Sequence, residues 1–240
     1  MTLSRKITVE FIGTFFLMFT VGMAVATAGN LAPLAIGGVL MVMVFAGGHI
    51  SGGHYNPAVS TAVLVRGRMA LREYVPYVVT QTVGAIVAGL LIRGLGYAPH
   101  DAAAVAGAGK MLVVEFLFTF ALGWVVLNVA TAKGTESNSF YGLAIGSTVA
   151  IGIFAAGSVS GGAFNPAVAL GGSVLGLFTW SHIWIYLLAE LVGGAVAAGA
   201  FLLTQPSEKP DGQLPAVQLD GEIGRRAGEG APRGVTHTAP

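Results

Sequence analysis

Two asparagines of this chain stand where their chemistry can act on a small molecule. Asn56 lies in the run H-I-S-G-G-H-Y-N-P-A-V and Asn165 in S-V-S-G-G-A-F-N-P-A-V, 109 positions later. Each tetrapeptide, Asn56-Pro57-Ala58-Val59 and Asn165-Pro166-Ala167-Val168, reads as the start of a helix. Asn is a preferred N-cap, Pro is favoured at the first helical position, and Ala is the best helix former. A capping asparagine uses its amide oxygen on the backbone and keeps N–H donors for another partner. The helix start beside it carries about half a positive charge and N–H groups without intrahelical acceptors. Such a pair holds a neutral molecule with a lone pair and repels a cation. For water, two donors at the centre aim both hydrogens outward and break the chain along which protons could hop.

The elements that must position these caps are unusual. After each cap the apolar run is short, residues 59–65 and 168–177, before Arg66 and Ser181-His182 change the character. At 1.5 Å per residue each reaches only part way across a hydrocarbon core of about 30 Å. A glycine-rich loop leads into each. In an apolar protein such loops are tolerable only where they line a polar cavity, because lipid cannot satisfy free backbone groups.

The composition requires a membrane. Of 240 residues, 54% are hydrophobic and 10% charged, against about 25% charged in a soluble domain. The 36 glycines suit close helix packing in a bilayer. With no cysteine neither a disulfide framework nor a thiolate metal site can form. A net charge of +1 excludes the broad basic surface that nucleic-acid binding needs.

Taken in order, the chain offers six apolar spans, at residues 7–28, 33–48, 74–92, 111–130, 140–157 and 183–203. The first imitates a signal peptide with its basic start and the small residues Ala24-Val25-Ala26, but it is longer than a usual signal core, contains Glu10 and has an internal counterpart. It is read as a span. The long connection 94–109 contains Pro99, His100 and Asp101; from Gln205 the composition turns to Pro, Gly, Gln and charge, which predicts a disordered tail over 205–240.

The halves are copies. Glu10 in V-E-F-I-G-T-F matches Glu115 in V-E-F-L-F-T-F, and Gln81 matches Glu190 at the same 109-residue offset as the asparagines. Three spans per half is an odd number, so the second copy enters the membrane from the opposite side, and the site falls at the midplane between the repeats. Ten of the 12 Lys and Arg, all but Arg93 and Lys110, fall on one side if the N-terminus is inside. The positive-inside rule therefore places both termini in the cytoplasm. The expected fold class is all-α: six transmembrane helices plus two re-entrant half-helices in an inverted three-helix repeat, with repeats at about 5–94 and 110–204 forming one channel domain over 1–204.

The doubled Asn-Pro-Ala, the preceding glycine loops and the glutamates of the first and fourth spans resemble the aquaporin, or major intrinsic protein, family over residues 5–204. The resemblance implies a passive, non-enzymatic channel for water and small neutral solutes such as glycerol, urea or ammonia. It implies one pore in each of four chains of a homotetramer, a plasma (inner) membrane location and no cofactor. It also implies a ladder of loop carbonyls, Gly52, Gly53 and His54 on one side and Gly161, Gly162 and Ala163 on the other. The family's outer filter maps to Ile36, Ile153, Gly162 and Val168. Water channels and glycerol facilitators of the familiar pattern carry arginine at the position of Val168. Valine brings neither charge nor donors, so a wider, apolar filter is expected, similar in this respect to tonoplast intrinsic proteins.

The same residues admit other readings. Intramembrane carboxylates suggest an ion pathway by default, yet Glu10 and Glu115 are expected to accept hydrogen bonds from the re-entrant loops, with Glu190 left open. His49 and His54, without a carboxylate or cysteine beside them, fix loops rather than ligate metal. Phe11, Phe15, Phe16 and Phe19 read as packing and lipid-facing surface. Ser158 and Ser160 lack an evident base, which gives nucleophilic catalysis no support. An ion-coupled transporter is the alternative class, opposed by the lack of a carboxylate beside either motif; a structural membrane protein is the third, opposed by short outer loops and intact pore motifs.

Overall fold

The computed structural model describes residues 1–99, 102 and 105–209. His100 and Asp101 of the long connection, and the tail beyond 209, lie outside them. Eight α-helices are found among the described residues: α1 Leu3–Thr27, α2 Ala32–Ser51, α3 Pro57–Val65, α4 Leu71–Gly94, α5 Ala108–Ala130, α6 Tyr141–Ser160, α7 Pro166–Leu175 and α8 Ile183–Thr204. Six of them are long and apolar enough to cross a bilayer, and α3 and α7 are the short pair. The long helices begin or end a few residues beyond the apolar runs because helical backbone continues through polar ends. The first turns of α1 and α4 carry Lys6 and Glu73, whose side chains pair at 2.9 Å.

Packing follows the repeat. α1 lies on α2 and α4, α5 lies on α6 and α8, and α2 packs on α6 between the halves. Each short helix packs on the last span of the other half, α3 on α8 and α7 on α4. Small residues set these approaches. A Cβ added at Gly171 of α7 would lie 2.6 Å from the carbonyl oxygen of Ala85 in α4.

Where α2 and α6 end, the chain must reverse inside the protein. Gly52 and Gly161 cap these helices at φ of 92° and 90°, and Gly53 and Gly162 follow at 61° and 68°. That region is open to glycine without cost and penalised for other residues. Tyr55 and Phe164 nonetheless adopt it, at 48° and 47°. The same irregular backbone is thus built twice.

The body runs past the expected boundary at 204. Residues 205–209, which composition assigns to a disordered tail, fold back onto it. Glu208 is buried, and its carboxylate accepts from Arg66 Nη2 at 2.7 Å and from the backbone N–H of Lys133 at 2.6 Å. Arg66, only 1% exposed at the end of α3, also donates to the Glu208 carbonyl and to Thr131, and lies over the Phe201 ring. A buried guanidinium needs such partners, and the first residues after α8 supply them.

Candidate functional site: the facing Asn-Pro-Ala loops

Both asparagines cap as their sequence suggests. Asn56 Oδ1 accepts from the backbone N–H groups of Ala58 (2.8 Å) and Val59 (3.4 Å); Asn165 Oδ1 accepts from Ala167 (3.0 Å) and Val168 (3.4 Å). Each amide nitrogen then reaches across to the other loop. Asn56 Nδ2 donates to the Phe164 carbonyl and Asn165 Nδ2 to the Tyr55 carbonyl, both at 2.8 Å. The left-handed turns at Tyr55 and Phe164 present those carbonyls. Since an amide NH₂ carries two donors, one hydrogen of each asparagine ties the loops together and one remains. Pro57 and Pro166 occupy the first helical positions behind them, and Ala58 and Ala167 are fully buried against neighbouring helices.

The loops hang from two glutamates. Glu10 accepts four hydrogen bonds: from Ser51 Oγ (2.6 Å) and the backbone N–H of His54 (3.0 Å) on one oxygen, and from the backbone N–H of Tyr55 (2.7 Å) and Gln81 Nε2 (2.8 Å) on the other. Glu115 accepts from Ser160 Oγ (2.5 Å) and the backbone N–H groups of Ala163 (3.1 Å) and Phe164 (2.8 Å). Tyr77 and Tyr186 close each assembly by donating to the carbonyls of Ser51 and Ser160. With their N–H groups turned to the acids, the loop backbones leave their carbonyls on the other side.

Two sequence expectations are corrected here. Ser160 does sit beside a carboxylate; it is fully buried and does not line the cavity, so its hydroxyl serves the loop. A carboxyl group also lies beside the second motif, because Glu190 faces the Asn165 backbone N–H. It too is fully buried and outside the cavity lining.

A cavity of about 120 Å³ runs past both asparagines. About 10–15 Å³ of such volume admits one water, so it accommodates several. Its lining includes Gly53, His54, Gly161, Gly162 and Ala163 together with Ile36, Ile153 and Val168, which places the mapped filter and the asparagines on one passage. Among the described residues, no Asp, Glu, Lys or Arg lines it. Gly52 is exposed in an adjoining recess of about 270 Å³, and His54 and Val126 line both spaces, so they stand at the neck between them. His54 Nδ1 pairs with Ser60 Oγ at 3.0 Å, while His49 is exposed and separate from it. Phe11, Phe15 and Phe19 stack along α1, with Phe16 turned outward.

Sequence reasoning missed the cross-tie between the loops, the serine and tyrosine braces, and the Arg66–Glu208 clasp. The braces carried a signal: Ser51 and Ser160, and Tyr77 and Tyr186, keep the 109-residue offset of the asparagines.

Comparison with known proteins identifies the family. The family model described as Major intrinsic protein matches residues 1–201. The chain is 38% identical over 206 residues to glycerol uptake facilitator protein-like 6 of Lactiplantibacillus plantarum, covering 81% of this chain and 95% of that protein. It is 36% identical to nodulin-26 of Glycine max, over 86% of this chain and 80% of that one. The aquaglyceroporin of Plasmodium falciparum superposes with a TM-score of 0.74 at 23% identity, covering 86% of this chain and 99% of the other. The chain therefore belongs to the major intrinsic protein family, the integral membrane channels that pass water and small solutes passively.

Proposed function

We propose that this channel passes water together with small neutral solutes of the glycerol, urea and ammonia class, and that Ile36, Ile153, Gly162 and Val168 set that breadth. The observation that carries the reading is a cavity lined by both asparagines and these four residues, with no Asp, Glu, Lys or Arg among the described residues that line it. At the filter a solute sheds water against apolar walls. An ion loses far more by this than a neutral polar group, and the facing starts of α3 and α7 add a positive field at the centre. Loop carbonyls of Gly52, Gly53, His54, Gly161, Gly162 and Ala163 accept from the solute, and the free hydrogens of Asn56 and Asn165 donate to it. The name of the bacterial relative, a glycerol uptake facilitator-like protein, favours a polyol among the solutes. No residue is assigned a catalytic role.

The exposed apolar faces of the long helices suit lipid and neighbouring chains, and the family resemblance supports four chains per assembly. The split of the basic residues supports a cytoplasmic side for both termini, and the membrane we assign is a plasma membrane. The test is proteoliposome swelling with water, glycerol, urea and ammonia, with proton flux measured alongside. Bidirectional flux independent of ion gradients is expected. Uphill accumulation driven by sodium or protons would refute the channel, and water flux without solute flux would refute the wide filter.

A further inference from the structure

Among the described residues, Glu190 is the one buried acid whose carboxyl group has no hydrogen-bond partner. It is 0% exposed, and among the described residues no donor completes a hydrogen bond to either of its oxygens. Its neighbours are the Glu115 carboxyl group and the backbone N–H of Asn165, with no cation beside it among the described residues. The other titratable group facing it is Tyr186, one turn earlier on α8. The short helices α3 and α7, packed against α8, bring no ionisable residue. Two carboxylates in contact inside the protein cannot both be ionised.

The first repeat indicates what Glu190 does. Its counterpart Gln81 donates Nε2 to Glu10 Oε2 at 2.8 Å and to Ser60 Oγ at 3.0 Å. A protonated glutamic acid has the shape of glutamine with one donor instead of two. The second repeat needs only one, because the residue at the offset of Ser60 is Ala169. We propose that Glu190 stands protonated and is a positioning residue for the second pore loop: its O–H donates to Glu115 while its carbonyl oxygen faces the Asn165 N–H. Glu115 and Glu190 thus form an acid pair that shares one proton and holds the start of α7 where Asn165 meets the passage. The inference rests on the Asn-Pro-Ala loops forming the pore wall.

The full chain in lipid vesicles tests this by infrared difference spectroscopy and water flux. At neutral pH the wild type should display the C=O stretch of a protonated carboxyl group, shifted by deuterium exchange and lost in Glu190→Gln. Glu190→Gln should conduct as the wild type does, since its NH₂ still donates to Glu115. Glu190→Leu should lower flux per inserted protein at least about fivefold, the factor expected for one lost buried hydrogen bond. Gln81→Glu should add a second protonated-carboxyl band in the first repeat. An unchanged spectrum in Glu190→Gln overturns the shared proton, and so does the absence of a new band in Gln81→Glu if Glu190→Leu fails to insert. Wild-type flux in an inserted Glu190→Leu overturns the positioning role. Loss of the band is read without conduction, so a wild type that passes no water would refute the channel reading and leave this assignment standing.

Discussion

Asn165 performs two separable tasks, and substitution can divide them. Its Oδ1 caps α7, and its Nδ2 supplies the 2.8 Å bond to the Tyr55 carbonyl. Asn165→Ala removes both: about 1 kcal/mol for the cap and about 1–3 kcal/mol for a buried carbonyl left without a donor. The expected loss is about 2–4 kcal/mol, a large share of a fold's net stability. Asn165→Asp keeps an oxygen at the cap and loses only the cross-tie, so its loss should be about 1–3 kcal/mol, with the carboxylate partly favoured by the helix start. For ion exclusion the ranking reverses. The aspartate places negative charge on the passage between the two helix starts, where alanine only leaves space, so cation leak should be greatest in Asn165→Asp. Denaturation midpoints of the purified variants and cation conductance in reconstituted vesicles read the two tasks independently. If Asn165→Ala leaks as much as Asn165→Asp, the central field does not exclude ions; if Asn165→Asp is the less stable, the cap was not worth its assigned share.

Three further outcomes follow from the same contacts. Glu10→Gln should be tolerated better than Glu10→Ala, because alanine strands all four donors now on Glu10, at about 1–3 kcal/mol each; equal thermal midpoints would contradict that scaffold. Truncation after Lys209 should leave stability and flux intact, whereas truncation after Thr204 strips buried Arg66 of its Glu208 partner and should lower the thermal midpoint; the Lys133 N–H and then Arg66 hold the Glu208 carboxyl below its ordinary 4.5, so the clasp's stabilisation is complete above that pH and is lost only as pH falls through the lowered value, which a midpoint-against-pH series of the two truncations checks. Val168→Arg should cut glycerol and urea flux more than water flux in the swelling assay, and an unchanged ratio would show that Val168 does not set the filter.

Much of the fold was legible because it is written twice. Asn56 and Asn165, Glu10 and Glu115, and the glycine loops repeat with a small set of offsets, and an odd number of spans per copy leaves inversion as the only arrangement. Local chemistry was legible too: N-caps and prolines act within four residues. What sequence could not carry were contacts between distant positions. Glu208 looks like any charge in a polar tail until Arg66, 142 residues earlier, is found beneath it. Composition averages over such a segment, so one buried acid disappears among its exposed neighbours. Glu190 was visible as a mismatch with Gln81, yet its meaning depends on Glu115 lying against it.

The centre of the passage belongs to neither repeat alone. Asn56 is completed by a carbonyl at Phe164, and Asn165 by one at Tyr55. Each of these carbonyls is presented by a loop hung from that repeat's own glutamate. Each short helix rests on the last span of the opposite half. A buried asparagine NH₂ or a buried carbonyl without its partner is costly, so a half on its own would carry those costs at the point where its backbone is already in the left-handed region at Tyr55 or Phe164. The strained turns persist because two copies satisfy each other. The same reciprocity brings the two helix starts together on one cavity that no Asp, Glu, Lys or Arg lines among the described residues, which is the arrangement the proposed admission of neutral solutes and rejection of cations requires.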